Sequence, residues 1–160
     1  MNTRSFLRFV LSSFALATAT TPRSALAAAS EEVRLVAELI WGTNGPKPDD
    51  VELRPIAPEL EKRLRRIFKW RSYYEIERKP VVTRAPKPTQ VQMSKECRLE
   101  ILHLGGHEFE IQLFGKGVLV VKKRQRIVPG ETVVLGGDDK NDDAWFVVLS
   151  LARPGTDRRG

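Results

Sequence analysis

Four carboxylates and one amide fall within the six residues from Asp138 to Asp143, a density of hard oxygen ligands that suits calcium. Asp139, Asn141 and Asp143 even keep the one-three-five spacing of a calcium loop. The pattern then breaks. Ala144 stands where the turn glycine belongs, and Ser150 stands where a bidentate glutamate is needed, so this is not an EF-hand. Asp, Asn and Gly are also the commonest turn residues. The expectation is therefore no cofactor, with calcium held by Asp138, Asp139, Asn141 and Asp143 as the one metal reading to test.

His103 and His107, the only histidines, are the other candidate pair. Two imidazoles facing each other across a hairpin would share a metal, but no third ligand accompanies them. Cys97 is the single cysteine. It rules out disulfides within the chain and cysteine-rich zinc sites, and on an apolar strand face it reads as a small buried hydrophobe. No serine or threonine lies in a nucleophile motif, no HExxH is present, and no glycine-rich phosphate loop opens a helix. The aromatics Trp70, Tyr73 and Tyr74 are of the type that stacks on sugars, although aromatics between a helix and a strand usually belong to a core. The chemistry on offer is binding, and a small secreted hydrolase is the least favoured reading.

Charge supplies the remaining candidates. Lys62, Arg63, Arg65, Arg66 and Lys69 share one short stretch, and Lys122, Lys123, Arg124 and Arg126 share another. Such clusters suit anionic surfaces such as lipid headgroups or polysaccharide. They make a poor nucleic-acid signal, because no aromatics are interleaved with the second run.

Three short strands joined by glycine turns organise the chain that must position these groups. Cys97, Leu99 and Ile101 alternate with Arg98 and Glu100. Phe109, Ile111 and Leu113 alternate with Glu108, Glu110 and Gln112. Leu119 and Val121 follow after Gly115-Lys116-Gly117. A period of two marks strands with one buried face. Three-residue loops at Leu104-Gly105-Gly106 and Gly115-Lys116-Gly117 keep the apolar residues on one face. They pair Ile101 with Phe109, Leu99 with Ile111, Leu113 with Leu119 and Ile111 with Val121. They also set Cys97 opposite Leu113, His103 opposite His107, Glu110 opposite Lys122 and Glu108 opposite Arg124, at the cost of placing Glu100 opposite Glu110.

The rest of the chain adds elements to this meander. Glu32 to Trp41 alternates as a strand, with Val33, Leu35, Ala37, Leu39 and Trp41 on one face. Gly42 to Pro58 reads as a loop. Pro58 to Trp70 reads as an amphipathic helix with Leu60, Leu64, Ile67 and Phe68 on its apolar stripe, proline at its start, and acidic then basic ends. Tyr73 to Val82 can form a strand, Thr83 to Thr89 an exposed connection, and Val91 with Met93 an edge strand. Thr132–Leu135 and Ala144–Leu151 form a second hairpin around a loop from Gly136 to Asp143. Trp145 to Leu149 is apolar on both faces, which predicts a central strand or one covered by the helix.

Met1 to Ala29 has the form of a cleaved Sec-type signal peptide: Arg4 and Arg8, an apolar run from Phe9 to Ala19, and small residues around Ala27. The apolar run is too short to span a bilayer, which needs about 20 residues. Removing the three arginines of this segment lowers the formal charge from +7 to about +4. The expectation is a secreted or periplasmic protein: a signal peptide at 1–29, one β-rich domain at 30–152, and a disordered tail at 153–160. Its fold is mainly β (α+β), a small antiparallel sheet or sandwich of about seven strands with one helix packed on it. No transmembrane segment is expected in the mature chain. The function expected is a non-catalytic module that binds another envelope or secreted protein, with binding to an anionic envelope surface as the alternative.

Overall fold

The computed structural model describes residues 31–49, 52–140 and 143–153, with the backbone alone for 137–140. The proposed signal peptide and residues 154–160 of the proposed tail lie outside the described residues. Two antiparallel sheets and one helix form three layers. The first sheet contains β1 (Glu32–Thr43), β2 (Arg54–Pro55), β3 (Ser72–Arg84), β8 (Thr132–Lys140) and β9 (Asp143–Leu151), in the order β2-β3-β1-β9-β8. The second contains β4 (Pro88–Gln92), β5 (Cys97–Gly105), β6 (Glu108–Gly115) and β7 (Val118–Arg126), in chain order. The fold is thus the mainly β sandwich with one helix that the alternation predicts. The described residues hold nine strands rather than about seven, and the two shortest, β2 and β4, lie at sheet edges.

The alternating faces meet between the sheets. Leu35, Ala37 and Leu39 of β1, Leu99 and Ile101 of β5, Phe109, Ile111 and Leu113 of β6, and Val147 and Leu149 of β9 form one buried core. The opposite face of the larger sheet carries a second core, where Ile40, Tyr73, Phe146 and Val148 receive Leu60 and Leu64 from α1 (Pro58–Ile67). This double coverage explains why β9 is apolar on both faces: it is an interior strand with a core on each side.

The helix is shorter than its pattern predicts. Phe68 is extended, with φ −121° and ψ 158°, and its backbone N–H caps the Leu64 carbonyl. This break turns Phe68 onto Phe146, with ring centroids 4.5 Å apart, and leaves Ile67 65% exposed. Trp70 and Tyr73 are core residues, not a sugar platform, and Tyr74 lies 5.9 Å from Trp41.

The meander keeps its predicted faces but not its predicted register. Ile101 pairs with Ile111, Leu99 with Leu113, Cys97 with Gly115 and His103 with Phe109. Leu113 pairs with Val121 and Ile111 with Lys123. Each shift is two residues, so no side chain changes face. The cause lies in the loops, which are two-residue turns. Gly106 alone has positive φ (57°) at the centre of the first, as in a type II′ turn, while Lys116 (51°) and Gly117 (79°) both do in the second, as in type I′. The extra residue of each hairpin is accommodated inside a strand as a bulge: Leu104, expected in the first loop, in β5, and Val120, expected within the strand, in β7. The expected ion pairs still form, as diagonals: Lys122 Nζ lies 2.9 Å from Glu110 and Arg124 Nε 3.6 Å from Glu108. Glu100 faces Gln112, so the anticipated carboxylate clash does not arise.

Three expected loops also contain strand: Gly42 to Pro58 holds the end of β1 and all of β2. β3 runs to Arg84 and β4 starts at Pro88, leaving a tight connection that contains the cis Ala85–Pro86 bond. β8 continues to Lys140, with Asp139 paired to Ala144 and Lys140 to Asp143.

Candidate functional site

The sandwich is closed at one end and open at the other. The open end is a cleft of about 870 Å³ between the sheets. Trp41 of β1 and Trp145 of β9, direct register partners, form its wall on the larger sheet. Gly115, Val118 and Val120 of the β6–β7 hairpin form the other wall, and the buried Cys97 lies at the floor.

Strand irregularities shape this cleft. The pairs Leu39–Glu77 and Ile40–Glu75 leave Ile76 of β3 without an opposite residue. Leu113–Val121 and Phe114–Leu119 do the same for Val120. On β8, the shift between Gly136 and Asp139 places two backbone positions opposite Trp145. Bulges re-aim side chains and sharpen local twist. Here Ile76 and Val120 reach the cleft and remain 43% and 42% exposed, while Val118 is 68% exposed. Gly115 eases a close approach: a Cβ there would lie 3.2 Å from both the Trp145 ring and Val120. The indole therefore rests on bare backbone of the opposite sheet.

The polar groups at the rim are already engaged. The Thr43 hydroxyl donates to Asp143 and accepts from the Gly45 N–H. Ser94 Oγ accepts from the N–H groups of Glu96 and Cys97, at 3.2 and 3.1 Å. Lys116 donates its backbone N–H to the Glu96 carbonyl, and its Nζ stands 3.8 Å from the Glu96 carboxylate. Burial pushes the Cys97 thiol up to about 11, so it is no nucleophile at neutral pH. What this arrangement can do is bury apolar surface against two indoles and three branched side chains, with a polar rim to orient it.

The sequence candidates fare unevenly. Asp143 sits at the cleft rim, bound to Thr43, while the side chains of Asp138, Asp139 and Asn141 lie outside the described residues. Among the described residues, no three His, Cys, Asp or Glu side chains converge as a metal site. His103 does not face His107. It is buried against Phe109, with ring centroids 5.0 Å apart and Nε2 3.0 Å from the Gly106 carbonyl, while His107 is an exposed turn residue. On the helix, Arg65 is paired with Glu61 at 2.6 Å, Arg63 donates to the Gly130 carbonyl, and Lys62 and Arg66 are exposed; beyond its end, Lys69 lies over the Trp70 ring. On β7, Lys122 and Arg124 pair with β6, while Lys123 and Arg126 make no ion pair among the described residues. The two basic clusters occupy different layers, one on the helix and one at the edge of the smaller sheet.

Sequence reading missed the cleft because its residues come from seven strands. The local signal was the run Val118-Leu119-Val120-Val121, apolar without alternation directly after a glycine turn. Set against protein-family models, characterised proteins and solved structures, the chain matches none. Among the described residues, no helix is long and apolar enough to cross a membrane.

Proposed function

We propose that the chain is an exported, non-catalytic protein-interaction module of the cell envelope. It takes an extended segment of another envelope or secreted protein along the free edge of β7 and buries that segment's apolar side chains in the cleft. One observation carries the reading: the apolar half of an unpaired edge strand opens directly onto the apolar cleft. Strand addition uses such an edge for main-chain hydrogen bonds and the adjoining pocket for selectivity. The edge formed by β4 offers less, because side chains bridge it to β3. Lys79 donates to the Gln92 carbonyl at 2.6 Å, and Thr89 to the Val82 carbonyl at 3.4 Å. Export rests on the basic, apolar and small-residue order of residues 1–29.

A second reading, attachment to anionic lipid or polysaccharide, draws on Ile67, which is 65% exposed among Arg63 and Arg66 at a groove beside Gly130. Co-sedimentation with isolated envelopes at low and high salt separates the two. Retention that survives salt and is lost in a Val118→Asp/Val120→Asp variant supports strand capture at the cleft. Retention lost with salt and indifferent to that variant moves the function to the basic clusters. No retention at either salt overturns both.

A further inference from the structure

We infer that the segment captured by β7 is acidic in its N-terminal half and apolar in its C-terminal half, and that it runs antiparallel to β7. This inference rests on the strand-capture reading and specifies its partner. β7 is divided along its length. Val118 and Val120 line the cleft, and Lys122 to Arg126 continue toward the closed end. An antiparallel partner meets the basic half with its first residues and the cleft with its last.

The faces of β7 sharpen the requirement. Register sets Lys123 opposite Ile111 and Gln125 opposite Phe109, and both of those β6 residues point into the core. Lys123 is therefore an inward-facing cation at the rim of the sandwich, and it is exposed. On the outer face, Lys122 and Arg124 are already matched by Glu110 and Glu108, whereas Arg126 is exposed and makes no ion pair among the described residues. Lys123 and Arg126 thus lie on opposite faces of the strand. An incoming strand can meet one with each of its own faces, so carboxylates on both faces of its first half are satisfied.

The same charges reject other occupants. An inward-pointing lysine and a bulge are devices that keep an edge from pairing indiscriminately. A second copy of this chain, paired antiparallel through the middle of β7, would set Lys122, Lys123 and Arg124 against one another. Residues 1–30 contain no Asp or Glu, so that segment lacks the required charge. Repulsion of wrong strands and attraction of an acidic one arise from the same residues.

The test uses the purified protein and four synthetic peptides matched to the nine residues of β7. One begins with consecutive glutamates, which place carboxylates on both faces of its first half, followed by alternating valine and isoleucine. The second is its reverse, the third has lysine in place of glutamate, and the fourth has threonine there. Tryptophan fluorescence reports the cleft, and slowed amide exchange reports the β7 edge. The acidic-first peptide is expected to bind roughly tenfold tighter than the reversed or lysine peptide, the worth of two or three cross-strand pairs. A Lys123→Glu/Arg126→Glu variant, changed only at exposed positions, is expected to reverse that preference toward the lysine peptide. Binding of all four with equal affinity, at a protected β7 edge, overturns the charge order and leaves strand capture standing. Failure of every peptide, the threonine one included, to protect β7 overturns strand capture and this inference with it.

Discussion

At the closed end of the sandwich, His103 and Phe109 stack as register partners and are 1% and 0% exposed. At the open end, Trp41 and Trp145 are also register partners, yet both keep part of their rings in solvent. One pair belongs to the smaller sheet and the other to the larger, and each continues the alternating pattern of its own strands toward the space between the sheets. What differs is the opposing sheet. Phe109 belongs to a core to which the larger sheet contributes Leu35 and Leu149, both 0% exposed, whereas Trp145 rests on Gly115 and on bulged Val120. Hydrophobic alternation chooses a face. Whether that face is sealed depends on the volume the other sheet supplies at the same height.

The contrast predicts that one kind of truncation has two different consequences. Phe109→Ala opens a cavity inside a closed core and should cost about 3–5 kcal/mol in urea unfolding. Trp145→Ala removes a ring that is already partly solvated, and should cost nearer ~1–2 kcal/mol while abolishing peptide binding at the cleft. Equal losses of stability would mean that the open end is as tightly packed as the closed one, and the distinction between them would fall.

Cys97 sharpens the boundary between the regions. It borders the cleft but is only 4% exposed, and burial raises its thiol from the usual 9.0 to about 11. At mildly alkaline pH that rise alone leaves about a hundredth of the thiolate that an ordinary cysteine would carry. Alkylation by iodoacetamide should therefore be at least ~100-fold slower in the native protein than in urea. Rapid native labelling would place the cleft floor in solvent and extend the open region through the level of Cys97.

The faces of this sandwich were legible because side-chain alternation is local. Leu99, Ile101, Phe109, Ile111 and Leu113 are buried as their spacing predicts. Register was less legible: a bulge moves the pairing without disturbing the alternation on either side, and neither Leu104 nor Val120 announces itself as one. Gly115 and Gly117 marked the turn, but not that Gly115 would be the surface on which a tryptophan from the other sheet rests. The pairing of His103 with Phe109 rather than His107 follows from the same two-residue shift, so loop length alone decided whether the two imidazoles faced each other. The cleft itself was illegible for a different reason. It is bounded by β1, β3 and β9 on one side and by the β6–β7 hairpin on the other, and no local pattern brings those together.

The smallest effect expected concerns neither end. Glu38 lies midway along β1 on the face turned away from the inter-sheet core, 6% exposed, with Arg78 Nη1 2.7 Å from its carboxylate. Burial raises the Glu38 carboxyl above 4.5, Arg78 pulls against that rise, and Glu75 adds to it. The folded protein therefore holds this proton to higher pH than the unfolded chain does. Stability from this group is complete below the unfolded value and declines as pH rises through the folded one. Glu32 has the opposite sign, since hydrogen bonding to Arg84 lowers its carboxyl. The two are separated by comparing the native protein with Glu38→Gln: above the unfolded carboxylate value, the native protein should lose stability with rising pH relative to the variant. Chemical unfolding at several pH values reads that difference, and a native protein that instead gains on the variant would reverse the assignment. Glu38 touches neither the cleft nor β7, so the same variant should bind the acidic-first peptide as the native protein does. A changed affinity would mean that the middle of β1 transmits to the open end, and that the two ends are not energetically separate.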